Sequence, residues 1–197
     1  MKQGFFFKDT SFQVERKVLT ASDLLFGEIS LLESLFEKGL VEFSKCVPAI
    51  SAFLGAKKLS VKIAELQYAK RLPVGGLLYF FDLKNIKFGF FENFQEEIDA
   101  VLDIGSGKNL SVHLPVGYLT ISELNRVLEF LSKRSVSIML AFDSRLSVAE
   151  TSKKTLPRVL QFFDSCKVWC LFESQEHMFL NLSVMQQAGV DAVVYLG

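Results

Sequence analysis

Three residues able to move protons or hold a cation stand at matching places in the last third of the chain: His113, Asp143 and Glu173. Each closes a short apolar run. The runs are Leu110-Ser111-Val112-His113, Ile138-Met139-Leu140-Ala141-Phe142-Asp143 and Val168-Trp169-Cys170-Leu171-Phe172-Glu173. An imidazole with two carboxylates can serve general acid–base catalysis or metal-assisted hydrolysis. The same residue types also cap helices and tie loops. Asp143 precedes a hydroxyl-rich stretch, and Glu173 stands directly before Ser174, a helix N-cap candidate.

The elements that must position these residues repeat. Each apolar run leads into a helical pattern: Leu124, Val127, Leu128 and Leu131 after the first, Val159, Leu160 and Phe163 after the second, Met178, Leu182 and Met185 after the third. The chain closes on Ala192-Val193-Val194-Tyr195-Leu196. Short apolar runs alternating with helices predict parallel strands, because a parallel connection has to cross back over the sheet. Ligands in such folds sit beyond the carboxyl ends of the strands, where the three residues fall.

Earlier segments are read by the same rules. Gly4 to Phe7 and Phe12 to Val18, joined through Lys8-Asp9-Thr10, predict an antiparallel hairpin. A helix is expected from Thr20 or Ser22 to Gly39, and another over 40–57, interrupted at Pro48. Strands are expected at 59–63 and 77–81, with Pro73-Val74-Gly75-Gly76 as the turn between them. Phe91, Phe94, Ile98, Val101 and Leu102 share one helical face that ends at Gly105. Thr120 and Glu123 have capping-box spacing, and Pro157 suits only the first turn of a helix. The run Val101-Leu102-Asp103-Ile104-Gly105-Ser106-Gly107 imitates a methyltransferase glycine loop. The residues before Gly105 are helically spaced, however, so the glycines end a helix and do not open a nucleotide site.

Composition narrows the function classes. The 197 residues predict a single domain, 1–197, with half the residues apolar and 20 of them Phe. Lys+Arg and Asp+Glu balance at 22 each, which gives no electrostatic reason to expect nucleic acid or an anionic membrane. No apolar run has the length of a membrane-inserted helix, and the N-terminus lacks a signal-peptide pattern. Cys46, Cys166 and Cys170 lack zinc spacing and are too few for a disulfide framework, so a cytoplasmic location is expected.

Taken in order, the segments resemble the EAL family, the TIM-barrel phosphodiesterases of bacterial cyclic di-GMP signalling. Lys167 to Gly197 is similar to the family's V-I-A-E-G-V-E-T stretch, helix and G-V-D-x-V-Q-G-Y ending. Ser135 to Leu146 resembles its L-P-V-D-x-L-K-I-D strand, and Leu59 to Gln67 its V-N-L-S-x-x-Q strand. Leu110 to Leu124 takes the place of L-D-D-F-G-x-G, and Leu77 to Asp82 that of L-E-I-T-E. The N-terminal hairpin and Ser22-Asp23-Leu24-Leu25 occupy the place of the hairpin and E-A-L itself. The resemblance implies an EAL-type TIM-like (β/α) barrel whose first strand is antiparallel.

The family's chemistry is not carried by these residues. Ser22 or Asp23 stands for the E-A-L glutamate, Lys62 for the strand asparagine, and Tyr79 or Phe80 for the next glutamate. His113 and Leu114 replace the paired aspartates, Leu140 or Ala141 the lysine, Cys170 the A-E-G glutamate, and Gly27 the arginine after E-A-L. Gln67, Asp82, Asp143 and Glu173 keep family-like identities and, with His113, form the expected ligand-binding set. Two divalent cations need several oxygen ligands, and a lysine among them would repel both. The expectation is therefore a degenerate, non-enzymatic regulatory module without metal or cofactor, acting through a protein partner or its own copy. Two alternatives stand beside it: a cyclic di-GMP receptor that does not hydrolyse, and a hydrolase rebuilt on His113, Asp143 and Glu173.

Overall fold

The computed structural model describes residues 1–7, 19, 22–52, 55–142, 155–164, 167–172 and 175–196. Eight strands follow one another around a closed barrel: β1 (Lys2–Phe6), β2 (Leu24–Gly27), β3 (Cys46–Ile50), β4 (Leu77–Tyr79), β5 (Leu110–Pro115), β6 (Ser137–Phe142), β7 (Val168–Phe172) and β8 (Ala192–Leu196). Every pairing is parallel, including β8 with β1, so the fold is a TIM-like (β/α) barrel. Helices α1 (Ile29–Glu37), α2 (Leu59–Arg71), α3 (Leu83–Lys87), α4 (Phe91–Gly105), α5 (Ile121–Ser132) and α6 (Gln175–Gln187) lie on the connections. None of the described helices is long and apolar enough to cross a membrane.

The antiparallel first strand is corrected. β1 pairs in parallel with β2 through Gly4–Leu24, Phe5–Leu25 and Phe6–Phe26, so no hairpin joins them. The expected return strand at 12–18 lies outside the described residues. Three further assignments change, each for an identifiable reason. Leu24–Gly27 was expected to be helix because its apolar run continues into Leu31 and Leu32, but the helix starts only at Ile29, after Glu28. Cys46–Ile50 was expected to be a helix broken at Pro48, yet all five residues are buried in β3, where Pro48 pairs with Gly27.

The run 59–63 is the first turn of α2, not a strand. Its buried positions are Lys62, Leu66 and Ala69, at helical spacing, while Leu59 and Val61 are exposed. A lysine on the inner stripe hid the period. The strands β4 to β8 and the helices α4, α5 and α6 agree with expectation, whereas α3 was not expected. Gly39 follows α1 at φ 66°, and Gly105 ends α4, which excludes a strand-to-helix glycine turn there. Thr120 and Glu123 form both halves of a capping box. Pro157 lies in a helical stretch described at 155–159, and the expected loop over 144–154 lies outside the described residues.

Alternation along the strands divides the core into two layers. Outward-facing residues such as Leu25, Ile50, Tyr79, Val112 and Cys170 pack under the helices. Inward-facing residues form a smaller barrel interior of Phe6, Phe26, Val47, Leu78, Phe80, Met139, Trp169 and Val194. Phe6 stacks on Phe26 at 6.1 Å, and Phe26 meets Trp169 edge-on at 5.5 Å. At the amino end of the strands, Trp169 Nε1 donates to Asp191 at 2.9 Å, and Lys2 pairs with the same carboxylate, closing the base.

Candidate functional site at the barrel mouth

His113 lies within the barrel. It is level with Met139 in the β5–β6 register, and its ring stacks on Phe80 with centroids 4.1 Å apart and planes at 22°. Only 9% of the residue is exposed. Burial pushes the imidazole pKa down from 6.5 to about 3, because the cation would lose its hydration with no compensating charge. At neutral pH the ring is therefore neutral, with one nitrogen to donate and one to accept. It makes no hydrogen bond to a described residue. Two places earlier on the same face, Ser111 Oγ is also buried and without a partner among the described residues.

The other expected site residues divide sharply. Asp82 follows β4, as expected of a mouth residue, but its Oδ1 accepts from the Lys84 N–H at 3.0 Å and caps α3. Gln67 is exposed in the middle of α2, on the outside of the barrel, and is removed from the site. Asp143 and Glu173 lie outside the described residues; in the sequence they follow β6 and β7 directly. Ser22 and Asp23 precede β2, at the end opposite the mouth, where Asp23 Oδ2 accepts from the Gln3 N–H at 2.9 Å. Leu114 and Cys170 face outward, and burial raises the Cys170 thiol pKa. Among the described residues, no His, Cys, Asp or Glu cluster has metal-binding geometry.

Lys62, expected at a strand end, instead lies between two outer helices. Its ammonium meets the Glu97 carboxylate at 2.5 Å, the two side chains being 1% and 6% exposed. Glu97 Oε1 also accepts from Tyr79 OH at 2.6 Å and from the Asp82 N–H at 3.2 Å, and Oε2 from Asn85 Nδ2 at 3.2 Å. Burial, then the Glu97 charge, pushes the Tyr79 phenol pKa up. One carboxylate on α4 thus holds β4, the turn after it and α2. Sequence reasoning missed this network. The signal was a charged residue on each apolar stripe: Lys62 with Leu66 and Ala69, Glu97 with Phe94, Ile98 and Val101.

No family model matches the sequence, and no curated protein matches it. Solved structures do. A protein named "QR15, an Aldolase" aligns with 99% of this chain and 89% of its own at TM-score 0.69 and 15% identity. A protein of Toxoplasma gondii ME49, provisionally assigned as a deoxyribose-phosphate aldolase, aligns over 100% and 88% at TM-score 0.65 and 11% identity. A Streptococcus agalactiae protein, provisionally assigned as the copper homeostasis protein CutC, aligns over 99% and 98% at TM-score 0.65 and 12% identity. At these identities the likeness shows the fold: a closed (β/α) barrel spanning the described chain.

The expectation of a non-enzyme is corrected at this point. Two barrels matching almost the whole chain are named as aldolases. The case for inactivity also placed Lys62, Leu114 and Cys170 at the mouth. None of them is there, so they say nothing about what the mouth can catalyse.

Proposed function

We propose that this chain is a barrel enzyme that moves protons on a small carbonyl substrate at the C-terminal mouth. The observation that carries the reading is a buried imidazole stacked on Phe80 inside the barrel, below the strand ends where (β/α)-barrel active sites lie, where burial favours its neutral form. A neutral imidazole N–H can hold a developing enolate oxygen without first surrendering a charge. Asp143 and Glu173, next in sequence after β6 and β7, are the carboxylates assigned as bases. In an aldol cleavage, a carboxylate removes the β-hydroxyl proton and the carbon–carbon bond breaks. The electron pair passes to the enolate, and its carbon is then reprotonated. The aldolase names of the structural neighbours favour this over hydrolysis. Among the described inward-facing positions the only lysine is Lys2, at the closed base.

The test is a panel of β-hydroxy aldehydes, β-hydroxy ketones and 4-hydroxy-2-oxo acids. Released aldehyde is measured, with deuterium exchange at the α-carbon followed by NMR. Turnover that falls at least about a hundredfold in His113→Asn is expected for loss of an oxyanion donor. Exchange and cleavage absent across the panel, or unchanged in His113→Asn, would sink the reading. Linear dinucleotide from cyclic di-GMP would favour the rebuilt hydrolase instead.

A second, compatible reading is contact with another protein, supported by Phe88, Phe90 and Ile121, which are 69%, 58% and 64% exposed. The ion pair Lys87–Glu123 joins the two segments that carry these side chains. Light scattering of the parent and of Phe88→Ser/Phe90→Ser distinguishes the cases. A monomer with unchanged behaviour in both removes self-association.

A further inference from the structure

Two polar side chains share the inward face of β5 within an otherwise apolar layer. Val112 and Leu114 pack under the helices, so Ser111 and His113 face the barrel interior. Leu78 lies beside Ser111 in the register and Met139 beside His113, and both belong to the interior cluster. Ser111 is 1% exposed, and its Oγ has no hydrogen-bond partner among the described residues. The buried His113 ring makes no hydrogen bond to a described residue either. Ser137 pairs with Ser111 in the β5–β6 register and alternates with Met139, which puts a second hydroxyl on the same inward face. A buried hydroxyl and a buried imidazole that stay unpaired each lose hydration without recovering it.

The spacing fits one bridging atom. Residues two apart on a strand face are about 6.6 Å apart along the strand, and a water reaches across about 5.6 Å between two partners. A buried water is held by about two to four polar groups. The Ser111 hydroxyl, a His113 ring nitrogen and the Ser137 hydroxyl can supply them, while Leu78, Phe80 and Met139 around them supply none. We infer that Ser111 is a positioning residue for His113, acting through one bound water that hydrogen-bonds the ring nitrogen on the inner side. With that nitrogen engaged, the other is turned toward the mouth. As a part of proton transfer this role rests on the function proposed above; the hydrogen bonds themselves do not.

NMR of the histidine rings tests it. The chain has two histidines, so 15N-histidine labelling shows only His113 and His177, and His177→Gln assigns them. Ser111→Thr and Ser111→Val are nearly equal in volume and differ in the hydroxyl. A cross-relaxation peak between the His113 ring and a long-lived water is expected in the parent. It should persist in Ser111→Thr and vanish in Ser111→Val, where the ring 15N shifts should also move. Ser111→Ala adds no volume, so it serves even if the larger variants fail to fold. It should lower Tm by about 2–4 °C, because the water and the ring lose a partner. A hydroxyl that is truly unpaired predicts a higher Tm instead, since its removal relieves a desolvation cost. That rise, or ring spectra that do not distinguish Thr from Val, would overturn the inference. Spectra that respond to Ser111 in a protein turning over no carbonyl substrate uphold the hydrogen bonds and remove the proposed function. Turnover that needs His113, with spectra indifferent to Ser111, does the reverse.

Discussion

Removing one partner of the Lys62–Glu97 pair should be among the most destabilising single changes in this chain. At 2.5 Å the attraction between the two charges is about 6–7 kcal/mol for an effective dielectric constant of about 20. Desolvation of two buried ions offsets most of it, so the intact pair contributes little net stability. Truncation is a different matter. Glu97→Ala leaves the Lys62 ammonium at 1% exposure without a counter-charge, and strips Tyr79 OH and the Asp82 N–H of their acceptor. Breaking such a pair costs about 3–5 kcal/mol, equivalent to roughly 6–20 °C in Tm for a domain of this size. Lys62→Met should cost less, because the carboxylate keeps three other donors. The double variant Lys62→Met/Glu97→Ala should cost less than the two singles together, by about 2 kcal/mol or more. Urea unfolding of all four proteins measures this. Single-variant costs that sum to the double within about 0.5 kcal/mol would refute the coupling.

Acid stability should report His113. Its folded pKa, about 3, lies below the ordinary 6.5. Between those values the unfolded chain binds a proton that the native ring does not, so stability falls as pH drops by about 1.4 kcal/mol per unit. A His113→Phe variant lacks that slope; parallel urea midpoints for the two proteins from pH 6 to 4 would contradict it. Gly55 has φ 64°, and a Cβ there would lie 2.0 Å from the Phe81 carbonyl oxygen, so Gly55→Ala should cost more than about 3 kcal/mol. Gly39 has a similar φ with open space around it, and Gly39→Ala should cost only about 1–2 kcal/mol; equal losses in thermal unfolding would defeat the comparison. Thr120→Ala removes the acceptor of the Glu123 N–H and should cost about 1 kcal/mol by urea denaturation, and no loss would show the box to be idle.

The barrel was legible wherever an apolar run stood alone. β7 lies between Lys167 and Glu173, β5 follows Asn109, β6 precedes Asp143 and β8 follows Asp191, and the positions of these strands could be read to within about two residues. The failures have physical causes. β2 runs into the apolar start of α1 with only Glu28 between them, so two short elements look like one helix. β3 holds a proline, which reads as a break unless the neighbouring strand is known. The period of α2 is obscured because its first buried residue is a lysine, whose partner lies 35 positions away. What was legible of the candidate site is position: His113 in β5 and Asp82 after β4. The site was not legible at Gln67, because that assignment depended on 59–63 being a strand.

That same lysine connects the outer shell to the mouth. Glu97 accepts from the Asp82 backbone and from Asn85, so the turn after β4 is fixed by an ion pair behind the sheet. Phe80 stands two residues before Asp82, on the inward face, and its ring lies against His113. A carboxylate outside the barrel therefore helps to place the ring that lies against the imidazole inside it. An apolar residue at 97 could fill space beneath α4, but it could not accept the four donors that converge there. The charge on this otherwise apolar stripe bonds to β4 and to the turn after it, and the residue following β4, Phe80, lies against His113. Weakening the pair should thus loosen the Phe80–His113 stack and let water reach the ring. A rise in the His113 pKa in Lys62→Met, measured by NMR titration of a protein that is still folded, is the expected sign. An unchanged value would show that the two layers are independent.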